Sequence, residues 1–208
     1  MPLRSNSQLS DEDRRALLAL ARRAISQTLI LGTVPGTPVQ AGTLAEPGGA
    51  FVTLRMNRNV RGCVGRLEPA EALAEVVAQS AITAAFADPR FDPVTMEELR
   101  RLEIEISVLS APQPIRPEEI EIGIHGILVS CGANRGLLLP QVPLERNWSA
   151  NQFLEAACRK AGLRADGWRD RETILFGFTA EVFSEACLIV ADQNCSSLQA
   201  ETQASVTR

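Results

Sequence analysis

The residues with the clearest capacity for chemistry lie in 61-RGCVG-65. Glycine on both sides of a packing cysteine is unexpected in a core strand. It removes side-chain bulk and permits unusual backbone angles or the close approach of another group. Two readings of Cys63 follow: a small packing residue at a kinked strand, or a thiol held open to a ligand. The second has a physical basis, because the thiolate is the nucleophile and neighbouring cations favour it. Arg61 and Arg66 are near in sequence. Strand alternation puts Arg61 on the face of Cys63 and Arg66 on the other, unless a glycine bulges the strand. Gly62 and Gly65 would also leave backbone N–H groups open to an anion or a carbonyl.

Partners for such a thiol are few. His125, in 123-GIHGI-127, is the only histidine. That rules out a multi-histidine zinc site and leaves one imidazole for Cys–His chemistry. It reads either as a base near Cys63 or as a histidine tied to backbone at the start of a strand. Glu103 and Glu105 share a strand face and read either as a solvated pair or as one that could bind a cation or act as acid and base. Cys131 and Cys158 fall in apolar stretches and read as core, as does Cys187, and Cys195 lies near the end of the chain. Trp148 and Trp168 read as packing anchors. No metal site is expected and no nucleotide-binding glycine pattern occurs, so no cofactor is assigned.

The elements that must position these groups follow from periodicity. Ser10 with Asp11–Asp13 behind it reads as a capped helix start, and Leu17, Leu20, Ala21, Ala24 and Ile25 share one face. A Gly- and Pro-rich connector fills 32–50. Strands at 50–56 and 60–67 around 57-NRN-59 predict a hairpin. A helix over 70–87 carries the stripe Leu73, Val76, Val77, Ala81 and Ala84 and stops at 88-DPRF-91. The strand 102–110 alternates cleanly, with one apolar face and one face that is wet or carries function. Two strands flank the turn 132-GANRG-136. Ser149 caps a helix over 150–160 that ends at Gly162, and 173–183 predicts one strand. Adjacent strand pairs between helices predict an α+β fold with a mainly antiparallel sheet.

At 208 residues, with 45 % apolar and 22 % charged positions, the chain has the balance of a globular protein with a proper core. A net charge of -4, no basic run and no tyrosine argue against nucleic-acid binding. No apolar stretch reaches membrane length, and no apolar leader opens the chain. Five cysteines without a CxxC pair predict reduced thiols in the cytoplasm.

Several segments together carry a resemblance. The run 61-RGCVG-65 is similar to the RGCIG signature of the AMMECR1 domain family. Then come 84-AAFADPRFDPV-94, 99-LRRLEIEISVLSAP-112, 122-IGIHGILV-129, 137-LLLPQV-142 and 153-FLEAACRKAGL-163, in the family's order. The likeness spans roughly residues 14–186 and is close to the bacterial and archaeal members grouped as the A component of the AmmeMemoRadiSam set. It implies an α+β fold with a mainly antiparallel sheet flanked by helices and a smaller subdomain. The expected organisation is a disordered 1–9, a domain over 10–186 and a flexible tail over 187–208. It also implies a site at Arg61, Gly62, Cys63 and Gly65, with Val64 replacing isoleucine. His125 and Gly126 match the family's HG pair, and Glu145 and Trp148 match a glutamate and a tryptophan after the PQV segment.

Two functions remain open at this point. One is a cytosolic Cys-dependent enzyme or small-ligand-binding protein, with Cys63 as nucleophile or contact thiol. Arg61 would hold an anion, and His125 and Glu145 would transfer protons. The other is a non-enzymatic partner or scaffold for Memo-like and radical-SAM proteins. No CxxxCxxC cluster motif occurs in the chain itself.

Overall fold

The computed structural model describes residues 9–34, 36, 42–68 and 70–186. It contains α1 (Asp11–Leu31), β1 (Gly49–Met56), β2 (Asn59–Arg66), α2 (Leu73–Phe86), α3 (Met96–Leu99), β3 (Glu103–Leu109), β4 (Gln113–Pro114), β5 (Gly126–Cys131), β6 (Asn134–Leu138), α4 (Gln141–Glu145), α5 (Ala150–Lys160), β7 (Ile174–Phe178) and β8 (Ala180–Ser184). Two four-stranded sheets form, in the orders β2-β1-β3-β8 and β4-β7-β5-β6. The described residues divide into two compact units, one within residues 9–107 and 182–186, the other within residues 108–181. The fold is α+β, with helices beside antiparallel strand pairs.

In the first unit, Ser10 accepts from the Asp13 N–H while Asp13 accepts from the Ser10 N–H, a reciprocal cap that starts α1. Leu9, just before it, is 4 % exposed. Residues 1–8 lie outside the described residues, as do Cys187 and Cys195. The hairpin β1–β2 closes through Asn57 and Arg58, both with positive φ, the two-residue turn that matches strand twist. Helix α2 packs on α1, β1 and β2. Its alanines, with Ala74, Ala81, Ala84 and Ala85 all buried, let it lie close to the sheet.

The second unit is built on β5, which pairs antiparallel with both β6 and β7. Its core gathers Ile127, Val129, Phe153, Leu154, Ala157 and Cys158, with Trp148 and Trp168 packed against it as expected. Burial pushes the Cys158 thiol pKa up. Ser149 accepts from the Gln152 N–H and starts α5. Ser149→Ala should cost about 1 kcal/mol in a urea melt.

Three expectations need correction. The stretch 173–183 is two strands, β7 and β8, in different sheets. They part at Thr179, whose N–H donates to Ser110 Oγ at 2.9 Å and whose carbonyl accepts the Ser110 N–H at 3.0 Å. Local composition cannot show which sheet each half joins. The second face of β3 is not wet: Ser107 and Leu109 are 1 % and 2 % exposed, and Glu105 pairs with Arg55 at 3.2 Å. Cys131 is half-buried rather than core, because it ends β5 at the two-residue turn Gly132–Ala133.

Candidate functional site

Within the first unit, β2 is an edge strand, and RGCVG occupies most of it. Register explains each residue in turn. Leu54 faces Gly62, but Arg55 faces Val60, so Arg61 is the extra residue of a β-bulge. A bulge re-aims its side chain. Arg61 reaches Glu98, with Nε at 2.7 Å from Oε1 and Nη2 at 3.1 Å from Oε2. Its guanidinium also lies 5.9 Å from the Phe91 ring centroid. Nη1 is buried without a hydrogen-bond partner.

The glycines are explained by close approach. A Cβ on Gly62 would sit 2.1 Å from the Ala84 carbonyl oxygen of α2. One on Gly65 would sit 2.3 Å from the Ala50 oxygen and 2.5 Å from Phe51 Cα of β1. Neither contact leaves room for a methyl group.

Cys63 faces Thr53 across the hairpin, and the Thr53 hydroxyl donates to Sγ at 3.3 Å. Its backbone points outward from the sheet edge and is met there by a loop. The Cys63 N–H donates to Asp88 Oδ2 at 2.9 Å, and the Cys63 carbonyl accepts from Arg90 Nη2 at 3.2 Å. Two side chains therefore take the place of a neighbouring strand and close an edge that would otherwise recruit one. The loop is built for this. Pro89 disfavours helix at the residue before it, so α2 ends and Asp88 turns toward β2. Asp88 is 3 % exposed in its side chain, and Arg90 is 57 % exposed. Arg90 holds Asp88 side-on, Nε to Oδ1 at 2.9 Å and Nη2 to Oδ2 at 2.6 Å. The Arg90 N–H also donates to Oδ1 at 3.1 Å.

The electrostatics follow from these bonds. Arg90's hydrogen bonds hold the Asp88 carboxyl far below the usual carboxylate range, with the Cys63 N–H adding to the effect. The Arg90 pKa is raised, first by its hydrogen bond to Asp88. Arg90 is the cation bonded to the Cys63 peptide carbonyl. Glu98 is lowered to about 2, first by Arg61 and then by the Thr95 N–H. Glu98 also caps α3 with Thr95. The Glu98 contribution to stability is complete above its unfolded pKa of 4.5 and falls away as pH drops toward 2. Glu98→Gln should therefore lose about 1–2 kcal/mol at pH 7 after allowance for partial exposure. The deficit should shrink below pH 4 in urea melts.

Beside this edge lies an open depression of about 460 Å3, lined by Arg61, Pro89, Arg90, Phe91, Asp92 and Glu98. Phe91 carries both guanidiniums near its ring, Arg90 at 5.3 Å from the centroid. Asp88, Arg90, Phe91 and Glu98 were not singled out from sequence. The available signal was the Asp-Pro break after α2, followed by an arginine.

His125 and Glu145 belong to the second unit. The Glu121 N–H donates to His125 Nδ1 at 3.0 Å, and the His125 N–H donates to the Glu121 carbonyl at 2.9 Å. Nδ1 is therefore an acceptor within a local turn. Gly126 is close-packed, since a Cβ there would lie 2.3 Å from the Phe178 ring. Glu145 is exposed at the end of α4. Among the described residues no group of three or more His, Cys, Asp and Glu side chains could hold a metal, and no helix is long and apolar enough to cross a membrane.

The family model for AMMECR1 matches residues 18–183. The chain belongs to the AMMECR1 family. A relative from Thermofilum pendens is 40 % identical, with 86 % of this chain and 92 % of the relative covered. Protein PH0010 of Pyrococcus horikoshii is 42 % identical over 86 % of this chain and 92 % of its own length. The crystal structure of the uncharacterized protein PH0010 from Pyrococcus horikoshii superposes with a TM-score of 0.81 at 41 % identity, covering 85 % of this chain and 93 % of that one. The matched range contains the RGCVG, DPRF and HG segments and assigns no reaction to them.

Proposed function

We propose that this AMMECR1-family protein binds a small polar ligand in the depression at the outer edge of β2, with Cys63 as the thiol beside it. The observation that carries the reading is Arg90. Its Nε and Nη2 are spent on Asp88 and the Cys63 carbonyl, while it lines the depression and stays 57 % exposed. The anion-holding part first expected of Arg61 passes to Arg90, because the Arg61 side chain is mostly buried against Glu98 while Arg90 is exposed. Ligand binding is favoured over thiol catalysis on chemical grounds. The groups bonded to the Cys63 side chain or its peptide are Thr53, Asp88 and Arg90. Threonine and arginine are not bases at neutral pH, and Asp88 is a weak base held ionised. The proposed setting is the cytoplasm, where the thiol stays reduced.

Charge-selective thiol exchange tests this reading. The native chain is offered dithiodiglycolate, cystamine and hydroxyethyl disulfide. The Cys63 thiolate attacks one sulfur, a mixed disulfide forms, and the other half leaves as a thiolate that takes up a proton. Arg90 should make dithiodiglycolate the preferred reagent at Cys63 relative to Cys131. Preference for cystamine at Cys63, or no adduct there, would refute the reading.

A second reading is favoured by the glycines. The close approach of Gly62 to Ala84 and of Gly65 to β1 fits RGCVG as a packing element in a scaffold for Memo-like and radical-SAM proteins. Retention of neither class of protein on the immobilised chain at physiological salt would count against it.

A further inference from the structure

We infer that the ligand of this depression is a zwitterion, a small molecule carrying both a carboxylate and an ammonium group. The inference rests on the site reading above and adds the chemical class of the ligand. Four charged side chains line the depression: Arg61, Arg90, Asp92 and Glu98. Arg61 and Glu98 neutralise each other through two hydrogen bonds. Arg90 is neutralised by Asp88 beneath it, but only through Nε and Nη2. Its Nη1 donors have no partner among the described residues. A guanidinium has five donors in a planar fork, so an edge remains for an acceptor. Asp92 is exposed and has no hydrogen bond or ion pair among the described residues.

Apart from the buried Arg61 Nη1, the open valences are therefore one set of cationic donors and one carboxylate, both in the lining of the depression and separated in sequence by Phe91. A ligand with a carboxylate alone engages Arg90 but meets Asp92 as a like charge. A ligand with an ammonium alone engages Asp92 and leaves the Arg90 donors unused. A molecule with both ends satisfies both groups. Specificity of this kind comes from the unfavourable pairing as much as from the favourable one.

The test uses the full chain, labelled with 15N, and a series of probes of increasing length. Glycine, β-alanine, 4-aminobutanoate and 6-aminohexanoate are each compared with the carboxylate and the amine of the same chain length. Amide shifts of Cys63, Arg90 and Phe91 locate binding, and their titration gives Kd. One chain length is expected to bind about fivefold tighter than either singly charged analogue, the ratio an exposed ion pair supplies. Asp92→Asn should reduce that amino acid to the affinity of its carboxylate. If carboxylates shift these amides and no amino acid exceeds them, or Asp92→Asn leaves the advantage intact, the zwitterion assignment is overturned while the site stands. If none of the three classes shifts these amides, the site reading fails and the inference falls with it.

Discussion

Gly62→Ala should destabilise the protein by about 3 kcal/mol, the upper end of what overpacking costs. The added methyl would lie 2.1 Å from the Ala84 carbonyl oxygen and 3.0 Å from its carbon. Both atoms belong to the backbone of α2, so no rotamer change relieves the clash. Either the helix end moves away from β2, or the strand does. The loss would appear as a lower urea midpoint with an unchanged slope. Gly132→Ala is the useful contrast. Gly132 has a φ of +57° but no atom within 4 Å of its added Cβ, so only the conformational penalty remains, about 1 kcal/mol. Equal effects at the two positions would refute the packing role given to Gly62.

Asp88→Ala should cost about 3 kcal/mol at pH 7. The side chain is 3 % exposed and accepts from the Cys63 N–H, the Arg90 N–H and the Arg90 guanidinium. Removing it strands a backbone donor on an edge strand and frees a guanidinium. The exposure of Arg90, 57 %, keeps the loss at the lower end for a broken buried pair, because water solvates the freed cation. Asp88→Asn retains an acceptor for Cys63 and should cost about 2 kcal/mol. The pH dependence has a definite sign. The folded-state pKa of Asp88 is depressed below 3.8, so its contribution is complete above the unfolded value and is lost as pH falls toward the folded one. The gap between wild type and Asp88→Asn should therefore be widest near neutrality and narrow below pH 4. A gap that stays constant down to pH 2 would mean that the charge of Asp88 does not hold the clamp.

How much of this was legible in the sequence differs from residue to residue. Helix starts were legible because the caps are local: Ser10 with Asp13 and Ser149 with Gln152 lie three positions apart. The apolar face of β3 was legible because alternation is a property of one strand. The second face was not, since Ser107 is buried by the fold around it. The break at Thr179 depends on sheet order, which no local pattern encodes.

At the candidate site, the presence of glycines around Cys63 was informative, but their purpose was not. Gly62 answers to Ala84 of α2, twenty-two positions away, and Cys63 to Asp88, twenty-five positions away. The alternation argument placed Arg61 beside Cys63 on condition of a regular strand. The bulge at Arg61 removes that condition and turns the guanidinium toward Glu98. A different arginine, Arg90, then bonds the Cys63 carbonyl. His125 was singled out as the only histidine and Glu145 by motif resemblance, and their bonds and exposure are those of the second unit.

The most direct test of the central claim, that Cys63 is a ligand-facing thiol, is alkylation of the native 208-residue chain with iodoacetamide, read by mass spectrometry at each cysteine. Cys158 is the internal control, fully buried and with its thiol pKa raised by that burial. The site predicts that Cys63 is modified in the folded protein at pH 7–8 while Cys158 is spared until urea is added. If Cys63 stays unmodified alongside Cys158 and both react only on unfolding, RGCVG is a packing element and the ligand site is not there.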